Sequence, residues 1–126
     1  MDKQIVLNQF GELLVHFVRD RVVEDYLKTQ AGKIRSESGI ALYEKLSTLD
    51  PDNLSIVQNV VLDTIDSTLD YFLWMIEQYE EYDLIRYIDD EKTFVSLRDI
   101  SDGLSGELHT EEGWIEEFSA YKTNCE

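Results

Sequence analysis

Between Asn53 and Tyr82 the sequence carries an apolar stripe with helical spacing, and it contains no glycine or proline that would break a helix. On a helical wheel centred on Ile65, the stripe spans about 80° to either side, which makes a wide and sustained core face. Its members are Val57, Val61, Leu62, Ile65, Leu69, Phe72, Leu73, Ile76 and Tyr79. A helix of this length predicts a mainly α-helical fold in which this segment is the spine.

The N-terminal segment also shows helical spacing, but its apolar side changes along its length. A first set lies between about −60° and +80° of Phe10 on the wheel, and a second set lies on nearly the opposite side. The first set is Val6, Leu7, Phe10, Leu13, Leu14, Phe17 and Val18, and the second is Val22, Val23, Tyr26 and Leu27. The helix either bends or restarts near Arg19–Arg21, or is covered on different sides at its two ends. Because no helix breaker intervenes, we predict one long helix to about Gln30, stopped by Ala31-Gly32.

A further helix is expected between this segment and the spine. It begins near Ser36 or Ser38, which can serve as N-caps, and ends by Leu49. Pro51 disfavours helical backbone at Asp50 and separates it from the spine.

After residue 83 the pattern changes from helical to β. Residues 84–88 and 93–97 are rich in β-branched and aromatic side chains, and Asp89–Lys92 between them is typical of a turn, so we predict a hairpin. The loop Asp99–Gly113 follows, and Thr110 is the expected cap of a last helix that places Trp114, Ile115, Phe118 and Tyr121 on one side. The prediction is a single domain over residues 1–126, a bundle of about four helices. It comprises a helical core (1–83), a hairpin (84–97), and a loop with the C-terminal helix (98–126).

Length and charge limit the function classes. The 126 residues suit one domain, and the net charge of −16 is opposite to the electrostatic footprint of a nucleic-acid binder. The same charge disfavours docking on an anionic membrane. The sequence has no long apolar run and no secretory signal pattern, and its single cysteine, Cys125, cannot form an internal disulfide. We therefore expect a cytoplasmic protein that binds neither nucleic acid nor membrane.

The familiar catalytic and cofactor motifs are absent from the sequence. We therefore expect that the protein is not an enzyme and binds no cofactor or metal ion. His16 is four residues from both Glu12 and Asp20, but weak pairing on a solvated helix flank is a better interpretation than a metal site. His109 lies in the loop Asp99–Gly113. An enzyme or small-ligand site there would require a deep pocket that contains His109 and a buried carboxylate.

The distribution of acidic residues is the strongest functional signal. No lysine or arginine occurs between Lys45 and Arg86, and nine acidic residues lie in that interval. On the spine helix, five of them fall about 100° to 160° from the core centre, with Trp74 near 180°. The five are Asp63, Asp66, Asp70, Glu77 and Glu81. This pattern predicts an acidic ridge that carries Trp74 near its middle, although Trp74 taken alone is expected to be covered by the hairpin or the last helix.

The ridge has two open interpretations. It is either a solvated face that a stable helix tolerates, or a docking surface for a basic protein, because aromatic anchors are enriched at interface centres and opposite charge speeds encounter. The predicted contact residues are Asp63, Asp66, Asp70, Trp74, Glu77 and Glu81, with Glu80 and Asp83 at the rim. By analogy of size and charge alone, the favoured function is an immunity- or antitoxin-type inhibitor that occludes a basic, nuclease-like toxin. The alternatives are a mimic of duplex DNA, and a structural or regulatory interaction subunit, either monomer or homodimer.

Overall fold

The computed structural model describes residues 2–89, 93–109 and 111–122. The fold is mainly α-helical with a small antiparallel hairpin before the last helix, as predicted. In chain order its elements are α1 (Lys3–Leu14), a π-helical turn (Val15–Arg19), α2 (Asp20–Gln30), α3 (Glu37–Leu46), α4 (Pro51–Gln78), β1 (Ile85–Ile88), β2 (Thr93–Ser96), α5 (Leu97–Ile100), a 3₁₀ turn (Ser105–Leu108) and α6 (Trp114–Phe118).

The N-terminal helix runs without interruption from Lys3 to Gln30, with the π-helical turn near its middle. Its buried positions recur every four residues through the π turn, which keeps one line of side chains against the rest of the molecule. That line consists of Leu7, Gly11, Val15, Arg19 and Val23. The wheel prediction was wrong for Leu13, Phe17 and Val18, which are exposed. Phe17 and Val18 lie in the π turn, where the regular α-helical period of the wheel does not hold.

α4 begins two residues earlier than predicted, since Asp50 caps the helix and Pro51 occupies its first turn, where its missing N–H is not needed. It ends at Gln78 rather than near Tyr82. The guanidinium of Arg98 explains the early end, because it donates to the carbonyl oxygens of Ile76 at 2.8 Å and of Tyr82 at 2.7 Å.

The buried side of α4 is rotated relative to the predicted stripe. Its buried residues lie between about +20° and +100° of Ile65 on the wheel, so the true centre is displaced by about 60°. They are Leu62, Asp66, Leu69, Leu73 and Ile76. The rotation leaves Phe72 and Tyr79 exposed and carries Asp66, an expected surface residue, into the interior.

The C-terminal third of the chain closes the core. Leu97, Leu104, Leu108, Trp114 and Ile115 are buried and pack with α1 and α4 in one cluster. The Trp114 ring meets Phe10 edge-on, with ring centroids 5.8 Å apart. The segment expected as the loop Asp99–Gly113 therefore contains two short helical turns and contributes core residues.

The hairpin pairs Ile85 with Ser96 and Ile88 with Thr93, close to the predicted strands. Residue 97, predicted at the end of a strand, begins α5 instead, because the Ser96 hydroxyl accepts from the backbone N–H of Asp99 and caps that turn. α6 begins after Gly113. The turn residues 90–92, the predicted cap Thr110 and Cys125 lie outside the described residues.

Candidate functional site

The predicted acidic ridge does not form a continuous solvent-facing stripe. Asp66 is buried, and Asp70 and Glu77 are half-buried and bonded to neighbouring elements. Asp63, Glu80, Glu81 and Asp83 are exposed. Three of the five carboxylates on the stripe are therefore turned towards the protein rather than towards a partner.

Asp66 forms a buried ion pair with Arg19 of the π-helical turn. The guanidinium Nε lies 2.6 Å from Asp66 Oδ1, and the Arg19 side chain is 0% exposed. The wheel could not identify this pair, because the core centre was not known. Relative to the predicted centre, Asp66 falls in the same range of about 100° to 160° as the exposed carboxylates. The prediction that Asp66 faces solvent was wrong, since α4 is rotated towards Arg19.

Arg19 and Asp20 also hold the C-terminal segment. The Arg19 guanidinium donates to the Ser119 hydroxyl at 2.7 Å, and that hydroxyl donates to Asp20 Oδ1 at 2.8 Å. The backbone N–H of Ala120 donates to Asp20 Oδ2 at 2.9 Å. One arginine and one neighbouring aspartate thus join the N-terminal helix, α4 and the segment after α6. The change of apolar side near residue 19 is the only sequence signal of this cluster.

Asp70 and His109 form a second linked pair, at the surface. His109 Nε2 lies 2.6 Å from Asp70 Oδ2, and the imidazole side chain is 49% exposed. Asp70 Oδ1 is covered and has no hydrogen-bond partner within the described part of the chain. The pair fastens α4 to the segment that follows the 3₁₀ turn.

Glu77 anchors the beginning of the 3₁₀ turn. Its Oε1 accepts a 2.5 Å hydrogen bond from the backbone N–H of Ser105. Asp83 lies beyond the same C-terminal end of α4, where its Oδ2 accepts from the Ser96 hydroxyl at 2.5 Å and lies 3.6 Å from the Arg98 guanidinium. Glu77 and Asp83 are therefore hydrogen-bonded within the protein itself.

Trp74 is 47% exposed and is not covered by the hairpin or the last helix, contrary to expectation. It lines a shallow depression of about 430 Å³ between α4 and the 3₁₀ turn. The other lining residues are Ser67, Asp70, Tyr71, Ser105, Gly106 and His109. Among the residues described, the His109 ring is hydrogen-bonded to Asp70 and to no hydroxyl group.

Large apolar side chains continue along the same side of α4. Ile56, Val60, Tyr71 and Trp74 lie within about 60° of one another on the wheel and are between 47% and 73% exposed. With Asp63 and Ser67, which lie between them, they define a surface called here the α4 outer face. It runs for about 27 Å along the helix at 1.5 Å per residue. Tyr71, Ile56 and Val60 were not predicted as site residues.

A separate apolar groove of about 750 Å³ lies between the N-terminal helix and the hairpin. Leu13 and Phe17 of that helix and Ile85 of β1 are exposed along it. His16 also lines the groove, and its Nε2 lies 2.9 Å from the Phe118 carbonyl oxygen, a bond that ties the π-helical turn to α6.

No set of histidine, cysteine and carboxylate side chains in the described ranges is grouped so that it could hold a metal ion. None of the helices described combines the length and apolar character needed to cross a membrane. No protein-family model, no curated protein and no solved structure matches the chain.

Proposed function

We propose that the protein is an acidic binding module that uses the α4 outer face to dock on a basic protein. In its most specific form, the proposal is a cytoplasmic inhibitor of the immunity or antitoxin type, which covers the basic active-site cleft of a nuclease-like toxin. The observation that carries it is the exposure of Tyr71 and Trp74 on a helix that has carboxylates and no basic residue.

The exposed aromatic side chains supply the apolar part of such an interface. Tyr71 is 73% exposed and Trp74 is 47% exposed, and residues of these two types dominate the energetic centres of protein interfaces. Ile56 and Val60 extend the apolar line towards the beginning of α4, where both are more than half exposed. A helix face with this composition suits burial against a partner better than contact with water.

The charge of α4 selects the partner. Between Lys45 and Arg86 the chain has nine acidic residues and no lysine or arginine. Asp63 lies on the outer face, and Asp52 is exposed in the first turn of the helix. A second copy of this face would bring like charges together, whereas a basic protein would be steered towards it. The face therefore favours a basic partner over self-association.

Occlusion of the partner's active-site cleft by phosphate-like carboxylates alone has less support from the structure than from the sequence. A mimic of duplex DNA needs a long row of free carboxylates, and Asp66, Asp70 and Glu77 are bonded within the protein. The arrangement supports a mixed interface instead, in which aromatic anchors are buried and flanking carboxylates provide steering. The DNA-mimic alternative is correspondingly less favoured.

The experiment is affinity capture from lysate of the source cells, at low and high salt, with matched pairs of bait variants. Tyr71→Ala on the outer face is compared with Tyr87→Ala on the hairpin, whose side chain is 59% exposed. Asp63→Lys is compared with Glu44→Lys on α3, an exposed site where substitution makes the same change in net charge. We expect one basic protein in stoichiometric amount with wild type and both controls, and its loss with both outer-face variants.

The captured protein is then identified, and its enzymatic activity is measured with and without the bait. Loss of that activity on binding supports the inhibitor, and unchanged activity supports a regulatory or structural subunit. Retention of the same partner by both outer-face variants would show that another surface binds it. Recovery of no basic protein at either salt concentration would overturn the proposal.

A further inference from the structure

The depression beside Trp74 combines a carboxylate with two aromatic rings. Asp70, Tyr71 and Trp74 of α4 line it together, and the hydroxyl-bearing Ser67 and Ser105 are also in its lining. Its volume of about 430 Å³ is enough for one long side chain. The depression is therefore sized and lined for a small polar group with an apolar stem.

Asp70 provides the charge of this depression. His109 Nε2 lies 2.6 Å from Asp70 Oδ2, and a carboxylate oxygen has lone pairs for more than one donor. Asp70 Oδ1 is covered and has no hydrogen-bond partner within the described ranges. The Asp70 side chain is 34% exposed, so a cation in the depression can approach the carboxylate from its Oδ2 side.

His109 is the basic side chain at Asp70, and the described residues that line the depression include no lysine or arginine. α4 contains no lysine or arginine, and the only ionisable residue of the 3₁₀ turn is Glu107. Glu77 also faces this turn, and its Oε1 accepts a hydrogen bond from the Ser105 backbone N–H, which holds the wall of the depression in place. The local charge is thus negative and the wall is held in place.

The two aromatic rings favour a guanidinium over other cations. Tyr71 and Trp74 are both substantially exposed at the depression, and their faces attract a cation. A guanidinium is planar and weakly hydrated, so it can stack on an aromatic ring while its N–H groups reach a carboxylate and hydroxyls. An ammonium group is more strongly hydrated and cannot stack in this way.

We propose that this depression receives an arginine side chain of the basic partner, an inference that rests on the proposed function. The guanidinium stacks against Trp74 or Tyr71 and pairs with Asp70, and the hydroxyls of Ser67 and Ser105 accept its remaining N–H groups. The site would make an arginine the anchor of the interface on the α4 outer face.

The test uses N-acetyl-arginine amide as the probe and N-acetyl-citrulline amide, its uncharged counterpart of the same shape, as the control. Both are titrated into the 126-residue protein at millimolar concentrations and followed by NMR. We expect saturable shifts of the Trp74 indole N–H and the His109 ring with the arginine compound only. Trp114 is an internal reference, because its side chain is buried in the core.

The variants are Asp70→Asn and Trp74→Leu, with Glu44→Gln as a control that removes one charge from an exposed site elsewhere. Asp70→Asn and Trp74→Leu should each bind the probe roughly tenfold more weakly than wild type. Glu44→Gln should bind the probe as tightly as wild type does. Circular dichroism confirms that each variant is folded. Equal shifts with citrulline, no shift at Trp74, or unchanged binding by folded Asp70→Asn would overturn the inference.

The captured partner separates this inference from the proposed function. Binding that is lost with Asp63→Lys and Tyr71→Ala but unchanged with Asp70→Asn would leave the module standing and remove the arginine site. Binding of the arginine probe when no basic protein is captured would support the arginine site and overturn the proposed function.

Discussion

The guanidinium of Arg19 and the carboxylate of Asp66 form a buried ion pair, with Nε and Oδ1 2.6 Å apart, between residues separated by 47 positions. The pair occurs where the N-terminal helix makes its π turn, and its carboxylate lies on the buried side of α4. Ser119 and Asp20 bond to the same guanidinium, so the cluster connects three separate parts of the chain.

Asp66→Asn should destabilise the protein by about 1.5 to 3 kcal/mol, because it removes one of the two carboxylates that contact the buried Arg19 guanidinium while Asp20 retains the other. Asp63→Asn, one turn earlier on α4 but exposed, should change stability by less than about 0.5 kcal/mol. Urea denaturation followed by circular dichroism measures both. Equal stabilities of the two variants would contradict the assigned role of the pair.

The sequence determines the helices more securely than it determines their orientation. Residues 53–82 show an unbroken helical period, and α4 occupies Pro51–Gln78. Its early end could not be foreseen, because Arg98 caps it from more than twenty residues away. The hairpin was found because β-branched residues flank a turn, which is a local signal.

The candidate site was predicted only in part, for the same reason. Periodicity places Asp63, Asp66 and Trp74 on a helix but fixes the core centre only to within about 60°. That error decides whether Asp66 is a surface carboxylate or a buried partner of Arg19. The pairing of Asp70 with His109 depends on how the chain returns after α5, which no local pattern encodes.

Residue 11 must be a glycine because the Trp114 ring packs directly against its backbone. A β-carbon at Gly11 would lie 2.4 Å from two ring atoms of this buried tryptophan, whereas one at Gly106 would meet nothing within 4 Å. Gly11→Ala should therefore destabilise the protein by about 1 to 3 kcal/mol, the cost of overpacking a core. Gly106→Ala should be neutral or slightly stabilising, because it restricts the unfolded chain.

Thermal unfolding of both glycine variants checks this prediction. A variant Gly11→Ala with the wild-type unfolding midpoint would mean that α1 and α6 are not packed as closely as described.

Burial raises the pKa of the Glu107 carboxyl above its usual range, partly offset by the hydrogen bond from the Ser101 hydroxyl. A carboxyl whose pKa is raised in the folded state favours folding when it is protonated and opposes folding when it is ionised. Glu107→Gln should thus be more stable than wild type at neutral pH. The difference should disappear as the pH falls below the ordinary glutamate value of 4.5.

The difference in the urea midpoint between wild type and Glu107→Gln, measured at neutral and acidic pH, gives the sign directly. Glu111→Gln is the control, because its side chain is exposed. A constant difference at all pH values would show that desolvation of Glu107 is not its source.

The two tryptophans should behave in opposite ways. Trp74 is 47% exposed and Trp114 is 1% exposed, so acrylamide should quench the fluorescence of Trp74 strongly and that of Trp114 weakly. Trp114→Phe isolates the first signal and Trp74→Phe isolates the second.

Truncation of the same side chains tests what each contributes to stability. Trp114→Ala should cost about 3 to 5 kcal/mol because it empties the core beside Phe10, whereas the cost of Trp74→Ala should be well under half of that. Acrylamide quenching and urea denaturation measure the two properties independently. A Trp74 that is shielded from quencher, or that destabilises the fold on truncation as much as Trp114 does, would mean that the α4 outer face is already covered within the protein. That face would then be unable to serve as a docking surface.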